Sequence, residues 1–166
     1  IASIAPFNFD LSVFDIYVSA KMAATLLLYT EQETKNALLM AQQLSFDKVT
    51  TVYGTPSFYS SLAFYGKLQK FDYSHLTNVL FAGEIFQPQS FKALLAHWPG
   101  KIFTNLYGPT ETNVCTFFRV NTGRLNDTVF PIGKPCSYAQ VMIVDENENE
   151  ISEKNITGEL LVSGDS

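Results

Sequence analysis

The 166-residue sequence has 46% hydrophobic content, enough for one globular domain with a real core and too much for a disordered chain. Its formal charge of -5 comes from 16 acidic against 11 basic residues without any Lys/Arg cluster, so it carries no footprint for nucleic acid or an anionic membrane. Two cysteines, Cys115 and Cys136, and two distant histidines, His75 and His97, argue against a disulfide scaffold or a zinc site.

The first segment, "FNFDLSVFDIYVSAKM" (7–22), places Val13, Ile16, Tyr17 and Ala20 at helical spacing and predicts an amphipathic helix starting near Asp10 or Ser12. "TLLLYT" (25–30) predicts a buried strand and "ETKNALLMAQQL" (33–44) a helix. "KVTTVYG" (48–54) is β-branched and stops at glycine; Thr55 then offers an N-cap and Pro56 a first helical residue. "HLTNVLFAG" (75–83) is a further strand, Pro88 opens the helix "PQSFKALLAHW", and "KIFTNLYG" (101–108) is the fourth strand. This alternation is the rhythm of a parallel sheet covered by helices. Beyond residue 113 the texture becomes β-rich, with "VCTFFRV", "QVMIVDENENEI" and "GELLVSG" predicting an antiparallel extension of that sheet whose acidic tip is solvated.

The longest apolar stretch, "MAATLLLY", is too short to span a bilayer, and no signal-peptide order opens the chain. A cytoplasmic, thiol-reducing setting follows. The chain begins at Ile1 rather than methionine and ends in an apolar run with a polar tail, Asp165-Ser166, which suggests a piece of a longer protein.

Parallel α/β sheets place ligands beyond the carboxyl ends of their strands. That rule selects Tyr53-Gly54, Ala82-Gly83-Glu84 and Leu106-Tyr107-Gly108, each a strand end with a glycine where backbone can approach a ligand. The third continues as "NLYGPTETNVCT" (105–116), where Tyr107 offers a face for a base, Thr110 a hydroxyl for a phosphate oxygen and Glu111 a carboxylate for Mg²⁺. The same residues are also ordinary turn chemistry. Asp10, in the apolar setting "FNFDLSVF", is either a helix cap or a counter-ion for a cationic ligand group. Cys115 has no base near it in sequence and fits a small buried hydrophobe; Ser57, Ser60 and Ser61 lack a Gly-x-Ser-x-Gly setting.

Six stretches, "FDLSVFDIY" (9–17), "YGTPSF" (53–58), "LFAGE" (80–84), "NLYGPTET" (105–112), "PIGKP" (131–135) and "GELLVSG" (158–164), stand in an order that resembles amino-acid adenylation domains of the adenylate-forming superfamily. That superfamily includes nonribosomal peptide synthetase adenylation domains, D-alanine carrier-protein ligases and stand-alone aminoacyl carrier ligases. The resemblance implies a three-layer, flavodoxin-like α/β subdomain over 1–113 and a truncated β-rich extension over 114–166. It implies ATP and Mg²⁺ as reactants, an amino acid as substrate, and an acyl or peptidyl carrier protein whose phosphopantetheine thiol receives the acyl group.

By this similarity Asn105 and Tyr107 would hold adenine, Gly83 and Glu84 would flank it through backbone, and Gly108 would turn the chain toward the phosphates. Thr110 would contact the α-phosphate and Glu111 would ligate Mg²⁺. Asp10 matches the carboxylate for the substrate ammonium group, and the pocket would be Asp10, Leu11, Phe14, Tyr53, Leu80, Ala82, Leu106, Val114 and Cys115. That lining looks closest to stand-alone L-prolyl carrier-protein ligases, with Phe14 where a leucine is expected; proline is the first candidate and another small apolar amino acid, D-alanine included, the second. The family's glycine-rich phosphate loop, ribose-binding aspartate and catalytic lysine have no match here, so the isolated chain is expected to be inactive. Two other classes stay open: a nucleotide-binding module without chemistry, and an acyl-CoA or aryl-acid ligase, against which Asp10 argues because its charge would lie uncompensated.

Overall fold

The computed structural model describes residues 1–123 and 129–164; the tail residues Asp165 and Ser166 lie outside them. Seven strands form the main sheet: β1 (Ala2–Ser3), β2 (Leu27–Leu28), β3 (Thr51–Gly54), β4 (Asn78–Phe81), β5 (Ile102–Tyr107), β6 (Thr116–Arg119) and β7 (Lys134–Pro135), in the order β2-β1-β3-β4-β5-β6-β7. The first five run parallel, and β6 and β7 add antiparallel pairings. The helices are α1 (Leu11–Lys21), α2 (Glu31–Lys35), α3 (Ala37–Phe46), α4 (Pro56–Tyr65) and α5 (Pro88–His97). Among the described residues no helix is long and apolar enough to cross a membrane.

Two-residue alternation along the strands sorts their side chains onto two faces. Val52, Val79, Phe81 and Phe103 join the large core with Met40 of α3, Tyr59 of α4 and Leu94 of α5. Their neighbours Tyr53, Leu80 and Leu106 join a smaller cluster with Leu11 and Phe14 of α1. The result is the expected three-layer arrangement, α3 to α5 on one face and α1 on the other. Tyr59 ties the layers together, its buried hydroxyl lying 3.0 Å from the Val52 carbonyl and 2.8 Å from that of Leu80.

Several sequence expectations need correction. "TLLLYT" is not a buried strand: only Leu27 and Leu28 pair, at the sheet edge, and Leu28 is 64% exposed. The strand called fourth is the fifth, because the two-residue β1 is too short to announce itself. The helix over 33–44 is two helices, α2 and α3, divided at Asn36, whose extended backbone (φ -100°, ψ 100°) closes one and whose side chain caps the next. The β-rich extension divides as well: β6 and β7 enlarge the main sheet, whereas β8 (Ala139–Val144) and β9 (Glu159–Gly164) form an antiparallel sheet of their own. Its tip is a turn in which the Asp145 carboxylate accepts from the backbone amides of Asn147 and Asn149.

Helix α1 forms where expected but is turned over. Its buried residues are Leu11, Ser12, Asp15 and Ser19, while Val13, Ile16 and Tyr17 face outward. The serines tolerate burial because their hydroxyls donate to carbonyls within the same segment, Ser12 to Phe9 at 2.7 Å and Ser19 to Ile16 at 2.9 Å. Asp15 has no such partner.

Candidate active site

The loop joining β5 to β6 explains the Gly108-Pro109 turn. The backbone of Gly108 passes so close to Asn113 that a Cβ would sit 1.7 Å from the Asn113 carbonyl oxygen, so only glycine fits. The amides of Thr112 and Asn113 donate to the carbonyls of Pro109 and Thr110, Asn113 takes a left-handed φ of 53°, and the Cys115 amide closes the loop on the Tyr107 carbonyl at 2.8 Å. Thr110 and Glu111 stand exposed at its apex. The Glu111 carboxylate has no hydrogen-bond or ion-pair partner among the described residues.

Beside this loop, at the ends of β4 and β5, lies a cavity of about 470 Å³. Six residues singled out in the sequence line it together: Gly83, Glu84, Asn105, Leu106, Tyr107 and Gly108. Gly83 turns the chain at a φ of 87°. Tyr107 is 42% exposed, leaving its ring available. The far wall, Val129, Phe130 and Ile132, was not anticipated; the Asn105 side-chain amide donates to the Pro131 carbonyl at 2.9 Å and the Thr116 hydroxyl to that of Ile132 at 2.8 Å, which hold this wall in place. Thr110 and Glu111 do not line the cavity.

The second set converges on the α1 face of the sheet. Leu11, Tyr53 and Ala82 are buried there with Phe14, Leu80, Leu106 and an unforeseen member, Ala5, packed against them. Phe14 meets Tyr53 edge-on at 5.4 Å between ring centres. Leu106 belongs to both the cluster and the cavity wall, so the two regions adjoin. Val114 and Cys115 lie on the hairpin outside the cluster. The Val114 carbonyl accepts from the Tyr138 hydroxyl, and the buried Cys115 thiol donates to Tyr107 while burial pushes its pKa up. That supports the packing reading of Cys115.

Asp10 occupies the N-cap position of α1 but makes no side-chain cap bond, so the cap reading loses its support. Its charge acts on the pocket instead: burial first, then Asp10 and Asp15, push the Tyr53 phenol well above its ordinary range. Asp15 itself, which no motif or spacing singles out, is buried with neither oxygen hydrogen-bonded. Burial raises its pKa to about 7, against a smaller lowering effect from the Ser3 hydroxyl. The Ser3 hydroxyl influences the carboxyl without meeting hydrogen-bond geometry, since both are unpartnered.

The profile of a family described as "AMP-binding enzyme" matches residues 1–166, the whole chain. The chain belongs to the AMP-binding enzyme family. Among its curated relatives, the L-proline--[L-prolyl-carrier protein] ligase of Streptomyces coelicolor is 38% identical over 96% of this chain and 30% of its own length. The D-alanine--D-alanyl carrier protein ligase of Lacticaseibacillus casei is 30% identical over 97% of the chain and 32% of its own length. The crystal structure of IdnL1 superposes with a TM-score of 0.90 at 25% identity, covering 98% of this chain and 34% of that one. PA1221, a nonribosomal peptide synthetase protein containing adenylation and PCP domains, shares the fold with a TM-score of 0.86 at 21% identity, covering 99% of this chain and 32% of that one. The chain therefore spans about a third of the length of these AMP-binding relatives.

A magnesium ion fits the donor set in a limited sense. Among the described residues no group of three or more His, Cys, Asp or Glu could hold a metal, but Mg²⁺ needs only one or two carboxylates when substrate phosphates and water complete its shell. Glu111, exposed and without a partner among the described residues, is such a carboxylate.

Proposed function

We propose that the protein containing this sequence is an ATP-dependent amino acid:carrier-protein ligase, with L-proline as its substrate. In the first step an oxygen of the amino-acid carboxylate bonds to the α-phosphorus of ATP while the bond to pyrophosphate breaks. In the second, a carrier protein's phosphopantetheine thiol takes the acyl group and AMP leaves. The observation that carries this reading is the junction at Leu106, where an apolar cluster with an unpaired carboxylate at its edge meets a cavity large enough for a nucleotide base.

In this reading the Tyr107 ring stacks on adenine and the Asn105 side-chain oxygen, left free by the bond of its nitrogen to Pro131, accepts from the base's amino group. The backbone of Gly83 and Glu84 borders the base. Thr110 donates to the α-phosphate. Bound at Glu111, Mg²⁺ would neutralise charge on the phosphates. Asp10 pairs with the substrate ammonium group, and the lining of Leu11, Phe14, Tyr53, Leu80, Ala82 and Leu106, with Val114 and Cys115 behind it, offers no partner to a charged side chain. The crowding of Phe14 on Tyr53 favours a small substrate, so D-alanine or another small apolar amino acid is the second candidate. Dependence on ATP and two free cysteines fit a cytoplasmic reaction. The 166-residue chain alone would be inactive, because electrostatic stabilisation of the transferred phosphate needs groups it does not contain.

Amino-acid-dependent ATP–pyrophosphate exchange by the intact protein tests this. Exchange should peak with proline and fall at least 100-fold in Asp10→Ala, on the order expected for an unpaired buried ammonium group. Exchange that peaks with an acid lacking an amino group, or survives the substitution, overturns the pocket assignment.

A further inference from the structure

Glu84 lines the proposed nucleotide cavity, yet its carboxylate is committed elsewhere. One oxygen accepts from the Ser57 amide at 2.9 Å and the other from the Ser57 hydroxyl at 3.0 Å. Ser57 is the second residue of α4, so the carboxylate sits on the exposed amides of a helix N-terminus, where negative charge is favoured.

Counting protons extends the arrangement. The Ser57 hydroxyl has a single proton, which goes to Glu84; the Thr55 hydroxyl, 2.8 Å from Ser57, must therefore donate to the Ser57 oxygen. Thr55 in turn accepts from the Phe58 amide as the N-cap of α4. The chain Phe58 to Thr55 to Ser57 to Glu84 thus joins the loop after β3 to the loop after β4. Those are adjacent parallel strands, paired from Thr51 with Asn78 to Gly54 with Phe81, and both end at the face where ligands bind.

We propose that Glu84 is a positioning residue for the nucleotide: its side chain, clamped to the first turn of α4, fixes the Gly83–Phe86 wall of the cavity without touching the ligand. This rests on the ligase reading and assigns the Glu84 side chain a task separate from the backbone contacts described above. Phe86 fixes the far end of the wall in the core against Phe81 and Phe91, but the stretch between leaves β4 through the left-handed Gly83 and carries the exposed Ile85, and no element of regular structure holds it between Phe81 and Pro88.

The test uses the intact protein, with Glu84→Ala, Glu84→Gln, Ser57→Ala and the Ser57→Ala/Glu84→Ala pair. ATP binding is measured by calorimetry, and KM for ATP and for the amino acid by pyrophosphate exchange. Glu84→Ala should weaken ATP about tenfold by both measures, the scale of a misplaced site wall, and leave the amino-acid KM within about twofold. Glu84→Gln, whose amide oxygen still accepts from Ser57, should recover most of the loss. Adding Ser57→Ala to Glu84→Ala should weaken ATP no further, because the partners act as one unit. Unchanged ATP affinity in Glu84→Ala, an equal rise in both KM values, or additive effects of the pair would overturn the clamp. A wild-type protein that binds ATP without exchanging pyrophosphate overturns the ligase reading and leaves the clamp to be judged on the binding constants; one that binds no ATP overturns both.

Discussion

Asp15 is the residue at which burial and charge conflict most directly. A carboxylate without partners in an apolar setting is costly, and the group answers by holding its proton, with a pKa near 7 in place of 3.8. Because the folded state binds this proton more tightly than the unfolded chain, the group's contribution to stability falls as pH rises. The penalty is absent below about pH 4, grows through the window up to about 7, and is then constant at on the order of 4 kcal/mol. Urea unfolding of the wild type and Asp15→Asn between pH 4.5 and 8 should show the variant gaining relative stability as pH rises, with the difference levelling off above pH 7. A pH-independent difference would mean that Asp15 has a partner or reaches water. Nothing in the sequence marks this residue, since an acidic position on an amphipathic helix normally faces solvent. Thr55 and Gly108 were legible because capping and tight turns are local chemistry, written in neighbouring residues. Asp15 and the Glu84 clamp were not, because each depends on which elements lie across from it.

Elements show the same division between local and distant causes. Strands β3, β4 and β5 and helices α4 and α5 could be read because period and punctuation agree over four or more residues. Strands β1 and β2, two residues each, exist only through their neighbours. The division of α2 from α3 was missed for a subtler reason: Asn36 interrupts a run of good helix formers without a proline or glycine. Its side-chain oxygen accepts from the Leu39 amide at 3.1 Å, while α2 is fixed upstream by the Thr30/Glu33 capping box. Asn36→Ala should therefore lower stability by about 1 kcal/mol, and Asn36→Asp by only a few tenths. Equilibrium urea unfolding with an unchanged m-value checks this. A more stable alanine variant would mean that residues 31–46 prefer one continuous helix and that Asn36 is not acting as a cap.

At the scale of the whole molecule, α1 presents an unresolved face. Its outward side carries Val13, Ile16 and the 70% exposed Tyr17, with Phe9 and Met22 continuing the apolar surface at 57% and 68% exposure. Contiguous apolar surface of this kind mediates contacts between molecules unless something covers it. The 166-residue chain in solution should thus associate with itself as its concentration rises, which sedimentation velocity measures directly. Replacing Val13 and Tyr17 together by glutamate should abolish the association while changing the unfolding free energy of the chain by less than about 1 kcal/mol, since neither side chain is buried and glutamate is the better helix former. A chain that is monomeric before the substitution would show that these side chains are not a sticky surface. In a protein of the relatives' full length the same pair of substitutions distinguishes two further situations: a loss of several kcal/mol means that other parts of the polypeptide pack on α1, because charge would then enter an apolar interface, and no loss means that the face stays open.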